Sequence, residues 1–145
     1  MVNVPSDPAP QGLGFGQTLN LDDGGLLESA FTAIGSTVNI NGGSVRYGFI
    51  AEIDSTVNIR GGIVGSGFNA LSDSTVNIRG GSVDRRFNAF SGSTVNITGG
   101  TVGEDLNAFS GSTININGGE VSTYSPAPAA RSISEAGLRA VTSAP

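Results

Sequence analysis

Hydrophobic and polar residues alternate in a short stretch that recurs along the chain. In its clearest copy, residues 93–102 read Ser-Thr-Val-Asn-Ile-Thr-Gly-Gly-Thr-Val, where Val95 and Ile97 share one parity and Thr94 and Asn96 share the other. This period-two alternation predicts a β-strand with one buried face. The glycine pair then predicts a bend, because glycine adopts positive φ without a steric penalty.

The stretch recurs with a period of 19 residues, which is the main signal in the sequence. A degenerate copy opens at Gln17, and further copies open at Ser36, Ser55, Ser74, Ser93 and Ser112. One such unit cannot enclose a core, whereas stacked units place each strand beside the same strand of the next unit. We therefore predict an all-β fold: a single-chain parallel β-helix (β-solenoid), three-sided, with about six coils and terminal caps.

Like residues at equivalent repeat positions predict the ladders that fill the coils. The apolar ladders are Leu19, Val38, Val57, Val76, Val95 and Ile114; Leu21, Ile40, Ile59, Ile78, Ile97 and Ile116; Val45, Val64, Val83, Val102 and Val121; and Phe49, Phe68, Phe87 and Leu106. Strand twist and crossover handedness favour a right-handed coil. A left-handed hexapeptide helix favours a period divisible by six, and a calcium-binding roll needs an aspartate that this repeat lacks after its glycine pair.

The chain divides into three parts around the repeats. We expect residues 1–16 to form an extended arm or cap, residues 17–124 to form the solenoid, and residues 125–145 to form a tail. The Pro-Ala-Pro segment at 126–128 predicts an end to ladder pairing, because proline cannot donate to a neighbouring strand. Residues 132–135 match a capping box, so the tail is either a short helix over the last coil or a frayed end.

Composition narrows the classes of function. The 145 residues predict one domain, and the net charge of −5 gives no electrostatic footprint for nucleic acid. No hydrophobic run approaches the ~20 residues of a membrane span, and residues 1–16 lack the features of a signal peptide. The chain has no Lys, His, Cys or Trp. We expect no cofactor, no metal site and no enzymatic activity.

The outward positions of the repeated strand predict a regular polar surface, which we call the Thr/Asn face. Its residues are Thr37, Asn39, Thr56, Asn58, Thr75, Asn77, Thr94, Asn96, Thr113 and Asn115. One interpretation is recognition of a repetitive surface: the face resembles the Thr-x-Thr face with which several antifreeze β-solenoids bind ice, with Asn replacing the second Thr. The other interpretation is structural, because Thr favours strands and stacked Asn side chains bond to one another.

A second candidate site is the corner that follows the Val45 ladder, which we call the charged corner. Its residues are Arg46, Asp84, Arg85, Arg86, Glu104 and Asp105. The three carboxylates lie on adjacent rungs, so a hydrolase pair is sterically possible. The alternative is a set of exposed ion pairs between rungs, which contribute little to stability.

Two smaller features also repeat. Asn69, Asn88 and Asn107 share one repeat position and are expected to bond the backbone at a bend, with glycan binding as the alternative. Arg60 and Arg79 share another position, where they are either solvated or able to bind an acidic polysaccharide.

The Ser-Thr-Val-Asn-Ile-x-Gly-Gly-x-Val repeat and the Phe-Asn-Ala-Phe-Ser-Gly segment, clearest in residues 74–111, resemble the short β-helical repeats of secreted and surface proteins of marine bacteria, planctomycetes among them. The resemblance covers residues 17–121 and implies an extracellular protein. The chain would then be a mature or trimmed form that starts with an added Met1. The alternative is an engineered solenoid. It specifies a fold and carries over no catalytic residue.

Three functions follow from these features. The first is a rigid, non-enzymatic structural or adhesive module that associates with itself or with a polysaccharide or cell surface. The second is a binder of ice or polysaccharide through the Thr/Asn face. The third is a polysaccharide-active enzyme at the charged corner.

Overall fold

The structure, a computed structural model, describes residues 1–126, 131–132 and 142–143. These residues form no helix, and their strands build three parallel sheets that stack as a β-solenoid of about seven coils of roughly 19 residues. The predicted all-β, three-sided solenoid is therefore confirmed. The additional coil beyond the six expected comes from the ends of the chain.

Each of the six central coils contributes one strand to each sheet, and among the described residues the two ends of the chain add strands to the first and third sheets only. The first sheet has the order β1 (Val2–Val4), β3 (Thr18–Leu21), β6 (Thr37–Ile40), β9 (Thr56–Ile59), β12 (Thr75–Ile78), β15 (Thr94–Ile97), β18 (Thr113–Ile116) and β21 (Arg131–Ser132). The second has the order β4 (Leu26–Leu27), β7 (Ser44–Val45), β10 (Ile63–Val64), β13 (Ser82–Val83), β16 (Thr101–Val102) and β19 (Glu120–Val121). The third has the order β2 (Gly12–Leu13), β5 (Thr32–Ile34), β8 (Ile50–Glu52), β11 (Asn69–Ala70), β14 (Phe87–Ala89), β17 (Leu106–Ala108), β20 (Thr123–Pro126) and β22 (Thr142–Ser143).

The predicted ladders form the core. Strand register places Val76 between Val57 and Val95, and the four apolar ladders are buried along their length. Rings of the phenylalanine ladder stack inside the coil, with the centroids of Phe68 and Phe87 4.6 Å apart. The structure extends this ladder to Phe31 and Tyr124 and adds a fifth, alanine ladder, which is Ala33, Ala51, Ala70, Ala89 and Ala108.

A ladder of buried serines closes the corner between the third and first sheets. Ser36, Ser55, Ser74, Ser93 and Ser112 are each at most 3% exposed. The Ser93 hydroxyl donates to the Phe90 carbonyl at 2.6 Å, and the Ser112 hydroxyl donates to the Phe109 carbonyl at the same distance. These two hydroxyls thus bond to a turn carbonyl from inside the coil, whereas the hydroxyls of Ser36, Ser55 and Ser74 have no hydrogen-bond partner among the described residues.

Each regular coil bends at three corners, and each corner holds a residue with positive φ. In one coil these residues are Gly81 at +73°, Arg86 at +62° and Gly92 at +83°. Asp54 and Asp73 take the third-corner position in earlier coils, at +56° and +57°. Glycine and aspartate suit these positions, because most other L-residues rarely adopt this conformation, and Arg86 is the exception in the regular coils.

The coil of residues 17–35 changes length at two corners without losing register. One residue is inserted between Leu21 and Leu27, and one is missing between Phe31 and Ser36, by comparison with the next coil. Leu21 still pairs with Ile40, and Thr37 N still donates to the Gln17 carbonyl at 2.9 Å. The corners therefore absorb length changes while the strands keep their partners.

Both ends of the chain add strands to the solenoid. Residues 1–16 contain β1, which pairs with β3, and β2, which pairs with β5. Val4 is buried, and Asn3 lies in register with Asn20. The segment predicted as an arm therefore supplies an irregular first coil.

The prediction that the Pro-Ala-Pro segment ends ladder pairing is wrong. Pro126 lies in register with Ala108, and β21 and β22 pair with β18 and β20. Asn88 N and Phe90 N both donate to the preceding coil, so the N–H between them faces the following coil. Pro126 occupies that intermediate position, where a missing donor costs no bond to the preceding coil. The choice between a short helix and a frayed end for the tail falls on residues after the capping-box serine, Ser132, and residues 133–141 lie outside the described part of the chain.

Candidate functional site

The Thr/Asn face is the outward surface of the first sheet. Strand alternation directs Val76 and Ile78 into the core, so Thr75 and Asn77 point outward and are half-buried by their neighbours. Thr75 pairs in register with Thr56 and Thr94 on its two sides. All ten predicted residues lie on this one surface, at a rung spacing of about 4.8 Å.

The asparagines of this face form one continuous hydrogen-bonded ladder. Each Nδ2 donates to the Oδ1 of the preceding coil at 2.7–2.9 Å, and the ladder runs through Asn3, Asn20, Asn39, Asn58, Asn77, Asn96 and Asn115. All the amides therefore point the same way along the solenoid. Each one has part of its bonding capacity occupied by the protein itself.

The threonines of the face behave differently. Among the described residues, the hydroxyls of Thr37, Thr56, Thr75, Thr94 and Thr113 form no hydrogen bond with the protein. Threonine hydroxyls both donate and accept, so this row can bond to water or to a ligand. The face thus combines a self-bonded amide row with an open hydroxyl row.

A second asparagine ladder lies on the third sheet, which corrects the expectation of backbone bonds at a bend. Asn88 Nδ2 donates to Asn69 Oδ1, and Asn107 Nδ2 donates to Asn88 Oδ1, both at 2.9 Å. These residues lie within β11, β14 and β17. The alternation of Phe87 and Ala89 around Asn88 was the signal for a strand.

An aromatic pair beside this ladder was not predicted. The rings of Phe90 and Phe109 have centroids 4.7 Å apart and planes within 1° of parallel. Phe109 is 42% exposed. Because the two rings cover each other's facing surfaces, those surfaces are not available to stack against sugar rings. Its contribution is a further contact between coils.

The charged corner is a set of exposed contacts between rungs. Arg46 Nε lies 3.1 Å from Glu28 Oε2 in the preceding coil, and Arg85 Nη2 lies 3.8 Å from Glu104 Oε2 in the following one. Arg86 and Asp105 occupy positive-φ positions at the same corner. Arg46 therefore contacts the coil that precedes it, whereas Asp84 lies two coils after it.

Asp84 is held as a carboxylate. The Arg85 backbone N–H donates to Asp84 Oδ1 at 2.8 Å, and the Ser66 hydroxyl donates to Oδ2 at 3.0 Å. These hydrogen bonds, with the Arg85 charge, lower the pKa of Asp84 from its ordinary value. A general acid in glycoside hydrolysis needs a raised pKa, so Asp84 fits that role poorly.

Arg60 and Arg79 follow β9 and β12 directly, at the edge of the Thr/Asn face. Both side chains are exposed, and neither forms an ion pair within the described part of the chain. Arg60 Nη1 reaches Asn41 Oδ1 only at 3.5 Å. The structure thus leaves two adjacent positive charges without an acidic partner.

Other potential sites are limited. An open depression of about 520 Å³ is lined by Ala9, Pro10, Gln11, Glu28, Ser29 and Ala30, where the Glu28 carboxylate contacts Arg46. Across residues 1–126, 131–132 and 142–143, no group of three or more acidic, His or Cys side chains is arranged to hold a metal ion. The same residues contain no helix long and apolar enough to cross a membrane.

Comparison with protein-family models, with curated proteins and with solved structures finds no match for this chain.

Proposed function

We propose that the protein is a non-enzymatic, rigid β-solenoid that serves as a structural or adhesive module outside the cell. The observation that carries this proposal is the unbroken parallel register of the first sheet across its eight strands. Interior strands of such a stack bond to neighbours on both sides, which opposes local opening. A surface built on these strands keeps a fixed geometry along the molecule.

Two further features support this assignment. The repeat resembles those of secreted and surface proteins of marine bacteria, planctomycetes among them, which supports the extracellular setting. The charged corner supports a non-catalytic role, because Asp84, Arg85 and Glu104 bond to protein groups and are exposed to water.

Two measurements test this proposal: the formation of product from polysaccharides, and the attachment of the protein to a polysaccharide or to other copies of itself. The purified protein is incubated with acidic and neutral polysaccharides while reducing ends report hydrolysis and unsaturated uronates report lyase chemistry. We expect no product above that of a Glu104→Gln control, and retention of the intact protein on a polysaccharide gel or on other copies of itself. Product that disappears in Glu104→Gln, or a protein that neither attaches nor self-associates, contradicts the proposal.

A second candidate function is recognition of a repetitive surface by the Thr/Asn face. The observation that favours it is the row of threonine hydroxyls without protein partners, repeated in register on successive coils. Ordered ligands such as ice or an extended neutral polysaccharide present hydrogen-bonding groups at regular intervals, which matches a regular row of donors and acceptors.

A matched pair of variants tests this second candidate. Thr75→Arg places a long charged side chain in the middle of the face, whereas Thr101→Arg makes the same change on the second sheet, where Thr101 is exposed. In Thr75→Arg we expect thermal hysteresis to be lost, or the affinity for a neutral polysaccharide measured by co-sedimentation to fall at least about tenfold, which is about 1.4 kcal/mol of binding free energy. Thr101→Arg should retain wild-type binding. Equal losses in both variants, or an inactive wild type, would exclude the face.

A further inference from the structure

Arg60 and Arg79 form a repulsive pair that the protein does not neutralise. They occupy the same position on adjacent coils, at a rung spacing of about 4.8 Å. Like charges stacked in this way disfavour each other. Arg46 and Arg85, by contrast, each contact a glutamate. The chain has a net charge of −5, yet these two adjacent arginines have no acidic partner in the part of the chain that the structure describes. An external anion bound between them would relieve the repulsion between their guanidinium groups.

Backbone donors lie next to these arginines. Each arginine precedes a glycine pair, and Gly62 and Gly81 have φ of +74° and +73°. The N–H groups of Gly62, Gly80 and Gly81 form no hydrogen bond within the described residues. Successive N–H groups before and at a positive-φ residue can form a concavity that binds anions. Cations and open backbone donors therefore share one edge.

The edge continues into the Thr/Asn face. Thr56 and Arg60 have the same strand parity, as do Thr75 and Arg79, so each hydroxyl and guanidinium belongs to one outward row. The arrangement occurs on two successive coils, and Asn41 and Thr98 take the arginine position on the coils to either side. It suits a ligand that extends along that axis and carries both hydroxyl and anionic groups.

We propose that Arg60 and Arg79, together with the N–H groups of Gly62, Gly80 and Gly81, bind sulfate or carboxylate groups of an acidic polysaccharide that runs along the solenoid. Guanidinium groups bind such oxyanions with charge-assisted, bidentate hydrogen bonds. This inference rests on the proposed adhesive function and names the class of surface to which the module attaches.

The test compares two double variants with equal loss of charge. Arg60→Gln/Arg79→Gln removes the proposed site, and Arg46→Gln/Arg85→Gln removes two arginines from the charged corner. Each protein is titrated with sulfated dextran, polygalacturonate, unmodified dextran, inorganic sulfate and single-stranded DNA at low salt. Circular dichroism melting checks that every variant is folded.

We expect the wild type and the charged-corner variant to bind sulfated dextran or polygalacturonate, and unmodified dextran to remain unbound. The Arg60→Gln/Arg79→Gln variant should bind at least about tenfold more weakly, and added salt should weaken wild-type binding by screening. Equal weakening in the two variants, or no binding to either acidic polymer, overturns the inference. Tighter binding of DNA, or equal affinity for inorganic sulfate, overturns the assigned ligand class.

The outcomes separate this inference from the proposed function. Attachment to neutral surfaces without binding to acidic polymers would refute the arginine site and leave the adhesive module intact. Binding followed by cleavage of an acidic polymer would keep the site and refute the non-enzymatic assignment.

Discussion

At the residue scale, the glycine pairs show how closely the coils approach one another. A Cβ built on Gly80 would clash with the carbonyl oxygen of Arg60 in the preceding coil. Gly81 has both a positive φ and a neighbouring backbone within 2.7 Å of the position of its Cβ. The first position of the pair needs glycine because there is no room for a Cβ atom. The second needs glycine for the same reason and because its φ is positive.

Gly80→Ala should therefore destabilise the protein by about 1–3 kcal/mol, because the added methyl group displaces a packed backbone. Urea unfolding measures this difference in the free energy of unfolding. Gly14→Ala is the control, since its nearest atom is the Gln17 Oε1 at 3.8 Å, and it should change stability by less than about 0.5 kcal/mol. A Gly80→Ala protein as stable as the control would show that the coils can separate at this corner without cost.

At the element scale, the asparagine ladder links neighbouring strands through side chains as well as backbones. Asn77 donates to Asn58 and accepts from Asn96, both at 2.9 Å. Asn3 stands at the first rung of the same ladder and has one ladder bond, to Asn20. The central residue therefore contributes two contacts and leaves two unpaired groups when it is removed.

We expect Asn77→Thr to destabilise the protein by about 1–3 kcal/mol, because half-buried amide groups on both neighbouring coils lose their partners. Asn3→Thr should cost less, since Asn3 is exposed and only one bond is lost. Thermal or urea unfolding of the two variants provides the comparison. If Asn3→Thr costs as much as Asn77→Thr, the ladder bonds do not account for the effect.

The strands and core of the regular coils could be predicted because their signals are local and repeated. The parity of Val76 and Ile78 fixes which face is buried, and the glycine pair fixes the bend. The Val2-Asn3-Val4 strand was missed because Asn3 precedes Asn20 by 17 residues, outside the 19-residue period. Its Val-Asn-Val alternation matches the repeated strand and was the available signal.

The candidate sites could be predicted only in part. Parity places Thr75 and Asn77 on the outer surface, but whether an amide bonds to its neighbour or to a ligand depends on side-chain conformation. The same limit applies to Arg60 and Arg85, of which only Arg85 has an acidic side chain within reach. Contacts between rungs depend on small offsets at the corners, which composition and spacing do not encode.

At the scale of the whole molecule, the two ends differ. The first coil presents the edges of β1, β2 and β4, and the last regular coils are followed by β20, β21 and β22. Tyr124 is buried as the last residue of the aromatic ladder. The C-terminal strands thus cover parallel edges that would otherwise be open to pairing with another chain.

A chain ending at Thr123 should associate into oligomers or fibres at concentrations where the whole chain keeps a lower mass. Removal of the following residues exposes the edges of β17 and β18 and takes away Tyr124. Light scattering across a concentration series measures the mass, and a chain ending at Ser143 is the control. A truncated chain that keeps the mass of the control would show that these strands do not protect the end.

The identity of neighbouring coils also bears on how such a protein changes over generations. Val76 has valine on both sides, and Asn77 has asparagine on both sides. Loss or gain of a whole coil by recombination between repeated gene segments would therefore leave each remaining core side chain beside the same kind of neighbour. The number of coils can therefore change without a change in core packing. Heritable changes in coil number would alter the length of the molecule before they alter its fold.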